Sequence, residues 1–176
     1  MLENRINLYL IPKEWIFTNS GLSEIISNIL NLQSIDLFQI QIAPSEYKPI
    51  GRICRFSVSS VKLKDLLDLI KHKLNLDYVR YFGDLESLIQ SLLLIIDQQL
   101  TPQILKLARR ANINTIICEN FTYDDEKLAE ELDLNLIATT TAIINLGLLK
   151  LSQSLRIEHP DVEFTFIPIQ SLSKIF

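Results

Sequence analysis

The run Leu92-Leu93-Leu94-Ile95-Ile96 constrains this chain more than any other stretch. Five consecutive aliphatic residues with no polar break are far too few to cross a bilayer. They fit a central strand covered on both faces. Such a strand needs helices above and below it, and the flanking sequence supplies them. From residue 62 onward, strand-like segments alternate with segments of helical periodicity. The order predicts a layered α/β fold with a mixed, largely parallel sheet flanked by helices.

The helical segments are read from spacing. Leu63, Leu66, Leu67, Ile70 and Leu74 form an apolar stripe, with Lys62, Lys64, Asp65, Asp68 and Lys71 opposite it. Thr101-Pro102 is a helix start, with a hydroxyl at the cap and proline at the first helical position; that helix runs to about residue 111. Further helices are predicted over residues 22–32, with Asn19 or Ser20 as cap, over 125–132 and over 142–155. Strands are predicted over 6–11, 37–42, 50–58, 78–82, 115–118, 134–138 and 163–167. Residues 43–49 read as a polar turn, and 57–61 as a hinge between two halves. The organisation expected is residues 1–57 as one part and 58–176 as an α/β lobe, packed as one compact unit.

Composition bears mainly on what the chain is not. With 176 residues, 48% of them hydrophobic, it can bury one sizeable core. Its net charge is −4 with no polybasic stretch, so the electrostatic footprint of a nucleic-acid binder is missing. The first residues lack the layout of a signal peptide. Two cysteines, Cys54 and Cys118, make no disulfide framework and read as small buried residues. A cytoplasmic protein without membrane association is expected. Four scattered glycines cannot form a phosphate-cradling loop.

The densest polar group on a loop after a predicted strand is Glu119, Asn120, Tyr123, Asp124 and Asp125. In open α/β sheets, ligands bind beyond the carboxyl ends of strands, which makes this loop the best placed for a pocket. Thr139, Thr140 and Thr141 follow the next strand and would line it with hydroxyls. The candidate ligand pocket is therefore Glu119, Asn120, Tyr123, Asp124, Thr140 and Thr141. Each group has an alternative role: Thr122 and the acids can cap the helix beginning near 125, and the threonines the helix at 142. No Ser/His/Asp or Cys/His set is present, because no histidine lies near a candidate nucleophile. His72 sits between two lysines on a helix and His159 precedes a proline.

Several of these stretches, in order, resemble the Nif-three family (NGG-one-interacting factor three), also called the GTP cyclohydrolase type 2-like family. Ile50-Gly51-Arg52-Ile53 with its following strand and helix is similar to that family's central Gly-Arg-Ile motif. Tyr78 to Gly83 with Asp84 matches the next strand and turn. Leu92 to Ile167 resembles its C-terminal lobe, with Tyr123-Asp124-Asp125 where Tyr-His-Asp or Tyr-His-Glu is common.

The resemblance implies a divalent metal bound by His, Asp and Glu, and dimers that build ring-like hexamers. Family members run about a third longer; residues 1–57 are expected to be a remnant of the family's N-terminal lobe plus connecting strands, with Leu8-Tyr9 through the Ser23–Leu32 helix resembling the end of that lobe. The family's Asp ligand falls near Pro12–Ile16, where Glu14 is out of register. Its final His and Glu fall on Thr140 and Ile144, or on Thr141 and Asn145. Neither register yields a ligand set. The expectation is thus a non-catalytic, metal-free relative with no cofactor, acting as a homo-oligomeric scaffold or interaction protein, dimer or higher, with room for a further protein partner. A small-molecule binder or hydrolase-like enzyme using the 119–125 loop is the alternative, ahead of a metal-dependent enzyme.

Overall fold

The computed structural model describes residues 6–57 and 60–169. A 3-10 turn (Lys13–Phe17) leads into α1 (Leu22–Ile29) and a long hairpin of β1 (Leu32–Ala43) and β2 (Glu46–Phe56). After β3 (Val61–Lys62) come α2 (Leu63–Leu74), β4 (Arg80–Phe82), β5 (Leu88–Ile89) and β6 (Ser91–Leu94). The chain then alternates through α3 (Pro102–Arg110), β7 (Thr115–Cys118), α4 (Tyr123–Leu132), β8 (Asn135–Ala138) and α5 (Ala142–Glu158).

One six-stranded sheet carries the fold, in the order β1-β2-β6-β7-β8-β4, and β3 and β5 pair separately. The layered α/β class is the one expected. The parallel part is smaller than the alternation suggested. Only β6–β7 and β7–β8 run parallel; β1–β2, β2–β6 and β4–β8 are antiparallel. The helical crossovers through α3 and α4 make the centre parallel, whereas a hairpin and a short edge strand close the two sides.

The strand following Ser91 places its side chains alternately on the two faces. Leu92, Leu94 and Ile96 join one core with residues of α1, α2 and α5. Leu93 and Ile95 join the other, beneath α3 and α4. Helix α3 begins as its sequence predicts: Pro102 follows Thr101, whose hydroxyl accepts the Ile104 N–H at 3.3 Å. At Gly51, a Cβ would stand 2.8 Å from the Leu94 carbonyl, so this glycine lets β2 approach β6.

Several expected boundaries are corrected. Residues 6–11 form no strand, since no neighbouring strand pairs with them among the described residues. Residues 163–167 are irregular too: side chains of α5 take up the main chain here, with Arg156 donating to the Phe164 carbonyl. The polar turn narrows to Pro44-Ser45, because Ser45 adopts a left-handed backbone (φ 64°) and the strands run up to it. Helix α1 stops at Ile29, ahead of the left-handed Asn31, and Gly21 is its cap residue. Of the 57–61 hinge, residues 58 and 59 lie outside the described residues. No helix among the described residues is long and apolar enough to cross a membrane.

Candidate functional site

Because β6, β7 and β8 are parallel, the loops that leave them emerge on one edge of the sheet, and antiparallel β4 begins there, with Arg80 opposite Ala138. Backbone and side chains stitch these loops together. Glu119 Oε1 accepts the Asp97 N–H at 2.5 Å, tying the β6 exit to the β7 exit. Thr139 donates both its N–H and its hydroxyl to the Cys118 carbonyl, at 2.9 and 3.0 Å. Thr140 N–H donates to the Glu119 carbonyl at 2.9 Å. At φ 54°, Thr140 is a β-branched residue in a backbone region that such residues rarely enter, so the corner is strained.

Arg80 holds the β7–α4 loop from the far side. Its Nη1 donates to Asn120 Oδ1 (3.2 Å) and to the Phe121 carbonyl (2.8 Å), and Nη2 pairs with Glu126 at 2.6 Å. The guanidinium carbon lies 4.2 Å from the centre of the Phe121 ring, a cation–π contact. Asn120 Oδ1 also accepts the Phe121 N–H at 2.9 Å. The result is an open cleft of about 350 Å³ lined by Tyr78, Arg80, Glu119, Asn120, Ala138, Thr140 and Thr141.

Glu119, Asn120, Thr140 and Thr141, all named from the sequence, therefore share one cleft. Tyr123 and Asp124 do not line it. They open α4, where Thr122 and Asp125 close a reciprocal capping box, with Thr122 N–H to Asp125 Oδ2 at 2.8 Å and Asp125 N–H to the Thr122 hydroxyl at 3.3 Å. Tyr123 is consequently 66% exposed and faces Lys127. The threonines do not cap α5: Thr141 is its cap residue but makes no side-chain cap bond, and Thr139 turns back to β7. Tyr78 and Arg80 also line the cleft, outside the residues the sequence pattern marks. Their signal was a charged residue in a short edge strand, which acquires meaning only once β4 is known to lie beside β8.

Neither cysteine is a nucleophile. Burial pushes the Cys118 thiol up to about 12, with the negative charges of Asp125 and Glu119 adding to the effect. Burial likewise pushes Cys54 up to about 12. A thiol held neutral in this way is inert.

Against known proteins, a model of the family described as Duf34/NIF3 (NGG1p interacting factor 3) matches residues 1–172. The chain belongs to this family. Among solved structures, the Staphylococcus aureus protein SA1388 is similar with a TM-score of 0.73 at 16% identity, covering 99% of this chain and 71% of that one. The protein ybgI, titled as of unknown function, gives 0.69 at 18% identity over 87% of this chain and 57% of its own. Reduced HcgD from Methanocaldococcus jannaschii gives 0.69 at 19% identity over 89% and 59%. At these identities the likeness is one of fold. The chain spans 57% of the length of ybgI and 59% of that of HcgD. None of the curated proteins matches it.

The metal that the family resemblance implies can be tested against the donors present. Among the described residues there is no group of three or more His, Cys, Asp or Glu that could hold an ion. Glu119 is the one carboxylate lining the cleft, and Asp77, Asp97 and Asp125 line cavities that adjoin it. Glu119 is engaged by the Asp97 N–H, and Asp97 pairs with Lys13 at 2.9 Å, which holds the Lys13 ammonium above its ordinary pKa. An ammonium in this position competes with any cation. Glu14 lines a smaller neighbouring cavity of about 210 Å³ with Lys13 and Lys48. Asn145 is committed elsewhere: its amide donates to the Ile169 carbonyl at 2.8 Å and accepts the Ile169 N–H at 2.7 Å. Ile144 packs against the core. These donors do not fit a family-type divalent metal.

Proposed function

We propose that this chain is a metal-independent, non-catalytic member of the Duf34/NIF3 family, working in the cytoplasm as a homo-oligomeric scaffold or interaction protein. One observation carries the reading: the side chain that falls on a ligand position in one register, Asn145, has its amide oxygen and one N–H bound to the main chain of Ile169. In the other register, Thr140 and Ile144 offer one hydroxyl and one hydrocarbon, and divalent-metal chemistry needs several converging donors. The pairing of Lys13 with Asp97 supports the same reading.

Assembly is favoured by apolar surface that the chain leaves uncovered, including Leu8, Tyr9 and Leu10 in sequence. Exposed apolar patches of this kind mark sites of association. The two buried, unpaired thiols suit a reducing compartment.

The test is elemental analysis of the purified chain after incubation with zinc, iron and manganese, together with its mass in solution by light scattering. The reading expects substoichiometric metal and a dimer or larger species. One equivalent of tightly held metal, or a monomer, overturns it.

A second reading is favoured by the cleft itself. Its volume and its mixture of Arg80, Asn120, Thr140 and Thr141 suit a small polar molecule. A thermal-shift screen of small polar metabolites would support this reading if a rise in Tm disappeared in Thr141→Val.

A further inference from the structure

The cleft at the β7, β8 and β4 ends holds more hydrogen-bonding capacity than the protein itself uses. Glu119 Oε1 accepts the Asp97 N–H, yet no hydrogen bond among the described residues reaches Oε2. Asn120 Oδ1 accepts from Arg80 and from the Phe121 N–H, whereas no acceptor among the described residues meets its Nδ2. The side-chain hydroxyls of Tyr78, Thr140 and Thr141 are free in the same sense. No buried side-chain N or O atom lacks a partner among the described residues, so these groups are open to the cleft.

Each formal charge a ligand could carry meets an obstacle here. Arg80 is the one cation lining the cleft, and Glu126 pairs with it at 2.6 Å. Glu119 lines the cleft itself, and Asp77, Asp97 and Asp125 line the cavities that adjoin it. Those cavities add no further cation, so a phosphate or carboxylate would face net negative charge. A cationic ligand is opposed by the Arg80 guanidinium and leaves the Asn120 Nδ2 donor unmatched. What fits is neutral, with donors and acceptors close together. Hydroxyl groups meet this requirement, since each offers one donor and two acceptor lone pairs. A planar heterocycle suits the cleft less well. Tyr78 is the only aromatic residue lining it, and the Phe121 ring is covered by Arg80. The volume of about 350 Å³ is near the lower end for ligand pockets, roughly 300–1,000 Å³, which suits a single small ring.

We propose that the cleft binds a neutral monosaccharide, its hydroxyls on Glu119, Asn120, Thr140 and Thr141 and its C–H face on the Tyr78 ring. This deepens the second reading above and rests on its claim that the cleft takes a small polar molecule. Glu119 Oε2 accepts from one sugar hydroxyl, and Asn120 Nδ2 donates to a neighbouring one. The cleft is open and its polar groups are hydrated before binding, so the dissociation constant is about 1 mM.

The test titrates the full chain with D-glucose, D-galactose and D-mannose by saturation-transfer NMR, alongside glucose 6-phosphate and protonated glucosamine. Asn120→Asp and Glu119→Gln keep Oδ1 and Oε1, with the bonds these accept, and alter only the free position. The proposal expects at least one neutral sugar to bind. Both charged analogues should bind about tenfold more weakly or not at all, and each variant should lose about tenfold in affinity. A charged analogue that binds as tightly, or sugar binding unmoved in either variant, overturns the proposal. Absence of binding by all three neutral sugars overturns it too. In that case a metabolite whose Tm shift disappears in Thr141→Val leaves the cleft reading standing, and the lack of any such metabolite overturns both.

Discussion

Gly147 of α5 lies against Leu22 of α1 with no room for a methyl group between them: a Cβ on Gly147 would stand 1.9 Å from Leu22 Cδ1. Leu22 is buried, so it has little freedom to yield. Alanine would add about 1 kcal/mol of helix propensity, but overpacking a core typically costs about 1–3 kcal/mol. Gly147→Ala is expected to lower stability by about 1 kcal/mol net in urea unfolding. Adding Leu22→Ala should then cost less than it does alone, because the clash has been removed.

Arg52 is 8% exposed and donates only to neutral acceptors: Ser23 Oγ at 3.0 Å, Ser34 Oγ at 2.7 Å and the Phe17 carbonyl at 2.9 Å. It therefore joins the N-terminal turn, α1 and β1 at a single point. Arg52→Met keeps the stem and strands the acceptors, for an expected loss of about 2–3 kcal/mol in denaturant midpoint analysis. Arg52→Lys is expected to rescue only part of this, since an ammonium lacks the planar fork.

The two thiols give a pH dependence of definite sign. Their folded values, pushed up to about 12, lie above the ordinary 9.0. Their contribution is fully present below pH 9 and is lost as pH rises from there towards 12, because the unfolded chain releases those protons first. Cys54→Ala/Cys118→Ala should flatten the alkaline limb of the stability curve. Native protein at pH 8 should react with a thiol reagent only at the rate of unfolding.

Asn145 fastens the segment after α5 through its paired bonds to Ile169. Asn145→Ala should speed amide exchange in residues 163–169 and expose them to proteases, with a global loss near 1 kcal/mol. Unchanged exchange there would refute this role.

Local patterns announced much of this fold, and non-local ones did not. Leu92–Ile96 declared a strand with two covered faces because its composition alone demands it. Thr101-Pro102 declared a helix start because capping acts within one turn. Residues 6–11 and 163–167 carry the same strand-like composition, yet a strand exists only when another strand lies beside it, and sequence does not report that. The cleft divides in the same way. Glu119, Asn120, Thr140 and Thr141 follow strands that could be recognised, so their loops could be placed at one end of the sheet. Arg80 reaches the site through the pairing of β4 with β8, a register that no short window contains. Tyr123 and Asp124 stand outside the cleft, in the first turn of α4 that the Thr122–Asp125 capping box begins.

That same pairing has a temporal side. During synthesis β4 leaves the ribosome well before β8, its only ladder partner among the described residues, so Arg80 can meet Asn120, Phe121 and Glu126 before its own strand has a ladder to join. The hairpin of β1 and β2, by contrast, has both its strands once Phe56 has emerged. The cleft therefore cannot be complete until Thr141 has emerged, and a ribosome stalled before Asn135 would display β4 without its ladder.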